Sequence, residues 1–106
     1  MPQFLYRIQP ARPGMLTESP TERESAILDE HFEYLRRLTA DGIVYTAGRT
    51  QNADERTFGI VILKAESETE AAELMRNDPA VSGGVMRAEL FRFQIALWSN
   101  QVPSTG

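Results

Sequence analysis

Two side chains in this sequence have the chemistry to move a proton: His31, the only histidine, and Asp78, which directly precedes Pro79. Imidazole titrates near neutrality and therefore suits general acid–base catalysis. A carboxylate bound to one ring nitrogen fixes the tautomer of the imidazole and stabilises its cation. Because the residue before a proline is disfavoured in the α region, Asp78 should end a helical pattern in an extended conformation. The first hypothesis is therefore a His–Asp pair.

The helical pattern around His31 predicts that its side chain points inward. At 100° per residue, His31 falls about 40° from Ile27, inside an apolar arc that ends at Phe32 near about 140°. The opposite side, between about 180° and 300°, carries five charged residues: Asp29, Glu30, Glu33, Arg36 and Arg37. A core histidine satisfied by a backbone carbonyl remains an alternative, since histidines are often partly buried for packing reasons. For Asp78 the alternative is a helix terminator that binds local backbone amides.

The hydrophobic pattern predicts the elements that must position these two residues. Strands are predicted over 3–8, 43–48, 57–65 and 86–97, and helices from Ser19–Pro20 to Asp41 and from Ser67 to Asp78. For the first helix, Ser19 is the expected cap, Pro20 the first helical residue and Glu22 the end of a capping box. Gly42 should supply the left-handed residue that follows this helix. In the first strand, Phe4, Tyr6 and Ile8 share one face.

The order strand–helix–strand–strand–helix–strand predicts an α+β, ferredoxin-like βαββαβ fold with a four-stranded antiparallel sheet and two helices on one face. The third strand is apolar on both faces, so it should be central. The sheet face opposite the helices would then expose apolar residues, Leu90, Ala96 and Trp98 among them. An exposed apolar face of this kind is typical of an association surface. A homodimer that packs sheet on sheet is therefore predicted.

Composition limits the function. The chain has 106 residues, net charge −4, no cysteine and one histidine. We expect one domain over 1–98 with a flexible tail over 99–106. The negative charge argues against nucleic acid, and the ligand supply argues against metal sites and cofactors. No apolar stretch is long enough for a membrane span, and the first residues lack the pattern of a signal peptide. A soluble, cytoplasmic protein is expected.

Three segments carry a resemblance to a known family: EHFEYLRRL around His31, DGIVYTAG (41–48) and ESETEAAELMRNDPAVSGGV (66–85). Together they resemble the YciI-like (YCII-related) family over roughly residues 3 to 97. The resemblance implies a dimeric α/β barrel with a His–Asp pair in a cleft, here His31 and Asp78. One branch of the family resembles a dehydrochlorinase of chlorinated-aromatic breakdown. This chain has Ala80 where an aromatic is often found and Arg49 where proline is often found, so no substrate is carried over.

Four further residues are candidate ligand-binding groups: Glu24, Tyr45, Arg49 and Gly84. Glu24 falls near about 60° on the face of His31 and could line the cleft, or be a solvated first-turn carboxylate. Tyr45 and Arg49 could receive a substrate carboxylate, although a surface arginine is the commoner outcome. Gly84, with Gly83, would keep the approach to Asp78 open.

Two functions remain open. One is a cofactor-independent enzyme that isomerises, or eliminates HX from, a small carbonyl- or carboxylate-bearing molecule. The other is a non-catalytic metabolite-binding or assembly module.

Overall fold

The computed structural model describes residues 1–99 and 101. Its elements are β1 (Gln3–Pro10), α1 (Gly14–Thr17), α2 (Glu22–Ala40), β2 (Val44–Arg49), β3 (Gly59–Lys64), α3 (Glu68–Arg76), α4 (Pro79–Ser82) and β4 (Met86–Phe93). Within the described part of the chain, no helix has the length and apolar character that crossing a membrane requires. Of the predicted tail (99–106), all but Ser99 and Gln101 lie outside the described residues.

The four strands form one antiparallel sheet in the order β2-β3-β1-β4. This order confirms the predicted ferredoxin-like α+β fold. β3 lies between β2 and β1, which agrees with its apolar character on both faces. Alternate residues of β1 and β3 point toward the helices and form the core with α2. The main core residues are Phe4, Tyr6, Ile8, Leu35, Val44, Val61 and Leu63.

The first long helix begins two residues later than its sequence signals predicted. Thr21, not Ser19, is the N-cap of α2, and Glu24 rather than Glu22 completes the capping box. The Thr21 hydroxyl accepts from the Glu24 N–H at 3.1 Å, and the Thr21 N–H donates to Glu24 Oε1 at 2.8 Å. Arg12 explains the shift, because it donates to the Ser19 carbonyl at 2.8 Å and holds that residue in the preceding loop.

The remaining helix signals behave as predicted. α2 ends at Ala40, and Gly42 follows with φ 77°, the left-handed conformation that favours glycine. Ser67 is the N-cap of α3, and its hydroxyl accepts from the Glu70 N–H at 3.1 Å. These two caps depend only on neighbouring residues, so the sequence alone is enough to locate them.

The segment between β1 and α2, predicted to be loop, contains the short helix α1. Its Met15 is fully buried and packs with Ala80 and Val85 in a second apolar cluster, against which Ile27 and Leu28 of α2 also pack. This cluster ties the segment before α2 to both α2 and α4. The prolines and glycine of this segment predict turns. A helix anchored by one buried residue, Met15, was therefore not predicted there.

The last strand is shorter than predicted and presents its residues in the opposite phase. β4 ends at Phe93 instead of residue 97, and Leu90 packs on the core under the helices. The prediction that Leu90 faces away from the helices is therefore wrong. The cause is the register, since Leu90 lies opposite Tyr6, whose side chain points into the core, and cross-strand partners share a face. Phe91 takes the opposite side.

The sheet face opposite the helices, called the open face below, is apolar at its centre. Its apolar residues are Leu5, Ile60, Ile62, Phe91 and Phe93. One ion pair crosses it, from Arg7 on β1 to Glu89 on β4 at 2.9 Å. No described helix or loop covers the middle of this face.

The chain that follows β4 runs along one end of the open face. The Ile95 N–H donates to Gln3 Oε1 at 2.8 Å, and the Trp98 ring packs edge-on against Tyr45 of β2 with centroids 5.9 Å apart. Because β2 and β4 are at opposite edges of the sheet, this segment spans its width. Trp98 stays largely exposed, so it enlarges the apolar area available on this side.

Leu35→Ala should destabilise the fold by about 2–5 kcal/mol, because Leu35 is only 9% exposed in the core between α2 and the sheet. Leu97→Ala is the matched control. Leu97 is 93% exposed, and its truncation should change the free energy of unfolding by less than about 0.5 kcal/mol. Urea denaturation of both variants measures the difference. Equal midpoints would contradict the inward phase of α2.

Candidate functional site

Asp78 lies at the junction of α3 and α4. α3 ends at Arg76 with Asn77 as its C-cap, and Pro79 keeps Asp78 extended, with φ −61° and ψ 123°. Asp78 is then the N-cap of α4: its Oδ1 accepts from the Ala80 N–H at 2.9 Å, while Pro79 is the first helical residue. Asp78 therefore directly follows the C-cap of α3 and is itself the N-cap of α4. Its side chain is completely buried.

Gly83 allows α4 to approach α2 closely. A Cβ at Gly83 would lie 2.8 Å from the Pro79 carbonyl oxygen of α4 itself and 3.0 Å from Cδ1 of Ile27 on α2, so a larger residue would have to shift the backbone of α4 and the tip of the Ile27 side chain. Arg23 of α2 also donates to the Gly83 carbonyl at 2.8 Å. Ile27 precedes His31 by one helical turn on the same face. The approach of the two helices therefore brings the start of α4 to His31.

The Asp78 carboxylate accepts hydrogen bonds from three different elements. Oδ1 accepts from the Ala80 N–H of α4 and lies 2.6 Å from Nδ1 of His31 on α2. Oδ2 accepts from the Tyr6 hydroxyl of β1 at 2.7 Å. A buried carboxylate is costly unless such partners satisfy it. With three donors the carboxylate can remain charged in the interior.

This arrangement fixes the roles of the two nitrogens of His31. An ionised carboxylate can only accept, so Nδ1 carries a hydrogen and the neutral ring keeps its lone pair on Nε2. Among the described residues nothing hydrogen-bonds Nε2, and none of their buried side-chain polar atoms lacks a partner. Nε2 therefore faces solvent, in agreement with the 14% exposure of the side chain. It can accept a proton while Asp78 stabilises the resulting cation.

Tyr6 is the residue of this site that sequence reasoning missed. Burial, and after it the charge of Asp78, raise the pKa of Tyr6 far above its usual value, so the phenol keeps its hydrogen and donates it. The sequence contained half of the signal, because Tyr6 alternates with Phe4 and Ile8 on an inward face and a buried tyrosine hydroxyl needs a partner. The partner is 72 residues away, and no local pattern identifies it.

The Glu24 carboxylate forms its side-chain hydrogen bonds with Arg12 and not with the His31–Asp78 pair. The Arg12 Nε donates to Glu24 Oε2 at 2.9 Å, and Nη2 donates to Oε1 at 2.7 Å. These bonds, followed by the bond from the Thr21 N–H, lower the pKa of Glu24 from 4.5 to about 2. Although Glu24 is buried on α2, its carboxylate is paired with Arg12 and is not brought to His31 and Asp78.

The structure does not bring Tyr45 or Arg49 to the pair either. Tyr45 lies in the register shift between Val44 and Thr46 and packs on Trp98. Arg49 is the exposed last residue of β2, and it lines a cavity of about 300 Å³ at the sheet edge that contains neither His31 nor Asp78.

Gly84 has a conformational role in the turn that follows α4. Its φ is 74°, a value that favours glycine, and nothing lies within 4 Å of the position that a Cβ would take. The Val85 N–H then donates to the Ala80 carbonyl at 3.1 Å, so the chain leaves α4 and enters β4. Gly84 follows Asp78 closely in the chain, but it makes no recorded contact with the pair.

A larger cavity, of about 570 Å³, lies where β1 begins and β4 ends, and its lining includes Phe4, Glu68, Arg92 and Phe93. It contains neither residue of the pair, and its described residues hold no hydrogen-bonded pair of titratable side chains. The hydrogen-bonded His31–Asp78 pair is therefore a better indication of the functional site than the size of a cavity. Within residues 1–99 and 101, no three His, Cys, Asp or Glu side chains are grouped to hold a metal ion.

The fold and the pair define a small α+β domain in which a solvent-reachable histidine is held by a buried carboxylate. The chain belongs to the YCII-related domain family, which matches residues 4–94. Among curated proteins no match is found. Among solved structures the chain is similar to a 5-chloro-2-hydroxyhydroquinone dehydrochlorinase from Burkholderia phenoliruptrix AC1100, in complex with 2,5-dihydroxybenzoquinone. The TM-score is 0.65 at 24% identity, over 87% of this chain and 93% of that one.

Glu24→Gln should lower the free energy of unfolding at neutral pH and lose this effect in acid. A carboxyl whose pKa falls on folding from 4.5 to about 2 stabilises the fold above the higher value, and the contribution is lost as the pH falls through the lower one. Urea unfolding of the variant and wild type between pH 7 and pH 2 measures the convergence.

The matched control for this experiment is Glu22→Gln, at an exposed first-turn position that forms no ion pair among the described residues. We expect a much smaller effect of this substitution on the free energy of unfolding. A Glu24→Gln deficit that stays constant down to pH 2 would contradict a charge contribution from Arg12 and Glu24.

Proposed function

We propose that this protein is a small cofactor-independent enzyme in which His31 moves a proton on a carbonyl- or carboxylate-bearing compound, by isomerisation or by elimination of HX. The observation that carries the proposal is the 2.6 Å contact between Nδ1 of His31 and Oδ1 of the buried Asp78, with Nε2 left facing solvent. A base of this kind needs a fixed tautomer and a stabilised cation, and Asp78 supplies both.

The proposed chemistry needs no electron transfer to or from the protein. In an elimination, Nε2 accepts the proton of a C–H or O–H group, and the electron pair left behind forms a new double bond as X⁻ departs. The substrate loses HX, and His31 returns the proton to solvent. In an isomerisation, His31 returns the proton to another carbon of the same molecule. In both reactions Asp78 stabilises the imidazolium without accepting the proton itself.

The family and the fold support elimination as one of the two reactions, because the similar solved structure is named a dehydrochlorinase. Next to the pair, this chain has fully buried Ala80 directly after the Asp78–Pro79 step, where the family often has an aromatic residue. The proposal therefore names a substrate class and no single compound. It includes a cytoplasmic location, which suits an acidic chain without cysteine.

We expect the protein to release chloride from 5-chloro-2-hydroxyhydroquinone, used as the probe, and expect His31→Gln to lower the rate constant by about 10²–10⁴-fold, the usual contribution of a general base. Binding of 2,5-dihydroxybenzoquinone, measured by calorimetry, should be retained in that variant. Arg36→Gln is the control on the same helix; Arg36 is exposed and pairs with Glu33, so its loss should leave the rate unchanged.

Two results would count against this proposal. Chloride release that is unchanged in His31→Gln would remove the proposed role of the histidine. Binding of the quinone by the wild type without release of chloride or rearrangement of the probe would favour the other candidate, a non-catalytic metabolite-binding or assembly module.

We also propose that the protein is a homodimer that packs open face on open face. Phe91 and Phe93 are 40% and 38% exposed there, beside Leu5. Such an apolar area on a sheet is typical of an association surface. The Arg7–Glu89 pair places opposite charges on neighbouring strands, so a two-fold axis would match each charge with its opposite on the second copy.

Phe91→Glu should convert the dimer to a monomer, because it places a charge in the middle of the proposed apolar interface. Phe32→Glu is the matched control: Phe32 is 69% exposed, but it lies on α2, away from the open face. Sedimentation velocity at micromolar concentration distinguishes the two. A wild-type monomer at that concentration, or a Phe91→Glu protein that remains dimeric, would contradict the proposed interface.

A further inference from the structure

The Asp78 carboxylate accepts hydrogen bonds from three donors that have different roles in the structure. The Ala80 N–H closes the cap of α4, and His31 Nδ1 belongs to the proposed reactive group. The third donor is the Tyr6 hydroxyl, and among the described residues it alone hydrogen-bonds Oδ2. Asp78 is fully buried, so bulk water does not replace this donor. The hydroxyl of Tyr6 therefore determines how much of the charge remains for the other two partners.

We propose that Tyr6 is a positioning residue of the pair: by donating to Oδ2 it sets how strongly Asp78 holds the Nδ1 proton of His31. This inference rests on the proposed function, in which Nε2 of the same ring accepts the substrate proton. Donors on one anion compete, because each reduces the charge available to the others. A strong bond from Tyr6 therefore weakens the pull of Asp78 on His31 and keeps the proton on Nδ1.

The placement of Tyr6 supports this role over simple packing. Its ring fills the core of the sheet between Phe4 and Ile8, and phenylalanine would fill nearly the same space. The hydroxyl needs only one acceptor to be satisfied, and a backbone carbonyl would serve. Tyr34 shows this: its hydroxyl donates to the Leu74 carbonyl at 2.7 Å. Tyr6 instead meets the carboxylate that binds His31.

The only histidine in the chain makes the test direct, because ¹⁵N-histidine labelling gives the ring signals of His31 alone. The measurement is the chemical shift and solvent exchange of the Nδ1 proton. In Tyr6→Phe the carboxylate loses a competing donor, so we expect the signal to move downfield and its exchange to slow about tenfold, the factor for one net hydrogen bond. Tyr34→Phe, the matched control, should leave both unchanged.

A second variant covers the case in which Tyr6→Phe fails to fold. Site-specific 3-fluorotyrosine at position 6 keeps the hydroxyl and makes it a stronger donor. It should move the Nδ1 proton upfield, opposite to Tyr6→Phe. Changes of opposite sign in the two variants support a role through the carboxylate, since a residue that only packs the core would produce neither.

The test also separates this inference from the proposed function. Asp78→Asn should move the Nδ1 proton signal upfield and speed its exchange, because a neutral amide oxygen is a weaker acceptor than a carboxylate. If the signal is independent of Asp78, the pair does not exist in solution, and both proposals are overturned. If the signal depends on Asp78 but is the same in the wild type and in the folded Tyr6 variants, only the role of Tyr6 is overturned.

Discussion

A single buried charge organises this domain. The Asp78 carboxylate has no exposed surface, and it receives hydrogen bonds from β1, α2 and α4. Removing any one donor would leave part of a buried anion unsatisfied, which costs far more than an ordinary hydrogen bond contributes. The three elements must therefore meet at one point. The sheet supplies Tyr6, and the long helix α2 supplies His31. Asp78 supplies the carboxylate, and as the N-cap of α4 it also accepts from the Ala80 N–H.

The Asp-Pro step makes this meeting possible. Pro79 ends α3 and begins α4 within one residue, so the Asp78 side chain is aimed by backbone geometry rather than by a flexible loop. The close contact of Gly83 with Ile27 and the burial of Met15 then hold α4 against α2. The two interpretations of Asp78 from the sequence, a residue that binds local backbone amides and a partner of His31, therefore both describe contacts of one oxygen atom, Oδ1.

Local sequence patterns predicted the features that depend on neighbouring residues, whereas pairing His31 with the distant Asp78 needed side-chain chemistry and the family resemblance, and the distant contacts of Tyr6 and Arg12 were missed. The inward phase of His31, the cap at Ser67 and the left-handed Gly42 follow from helical periodicity and local backbone preference. The Tyr6–Asp78 bond joins residues 72 apart, and no local pattern contains it. The start of α2 was misplaced for the same reason, because Arg12 engages Ser19 and Glu24 from outside the helix.

Strand β1 connects the two faces of the domain. Tyr6 points to the His31–Asp78 pair, whereas its neighbours Leu5 and Arg7 point to the open face. The side-chain period of a strand is two residues, so a shift of one residue would exchange these roles completely. The register of β1 with β3 and β4 thus fixes both the carboxylate's third donor and the apolar face at once. The proposed site and the proposed association surface use different residues, but both require that β1 is paired in register.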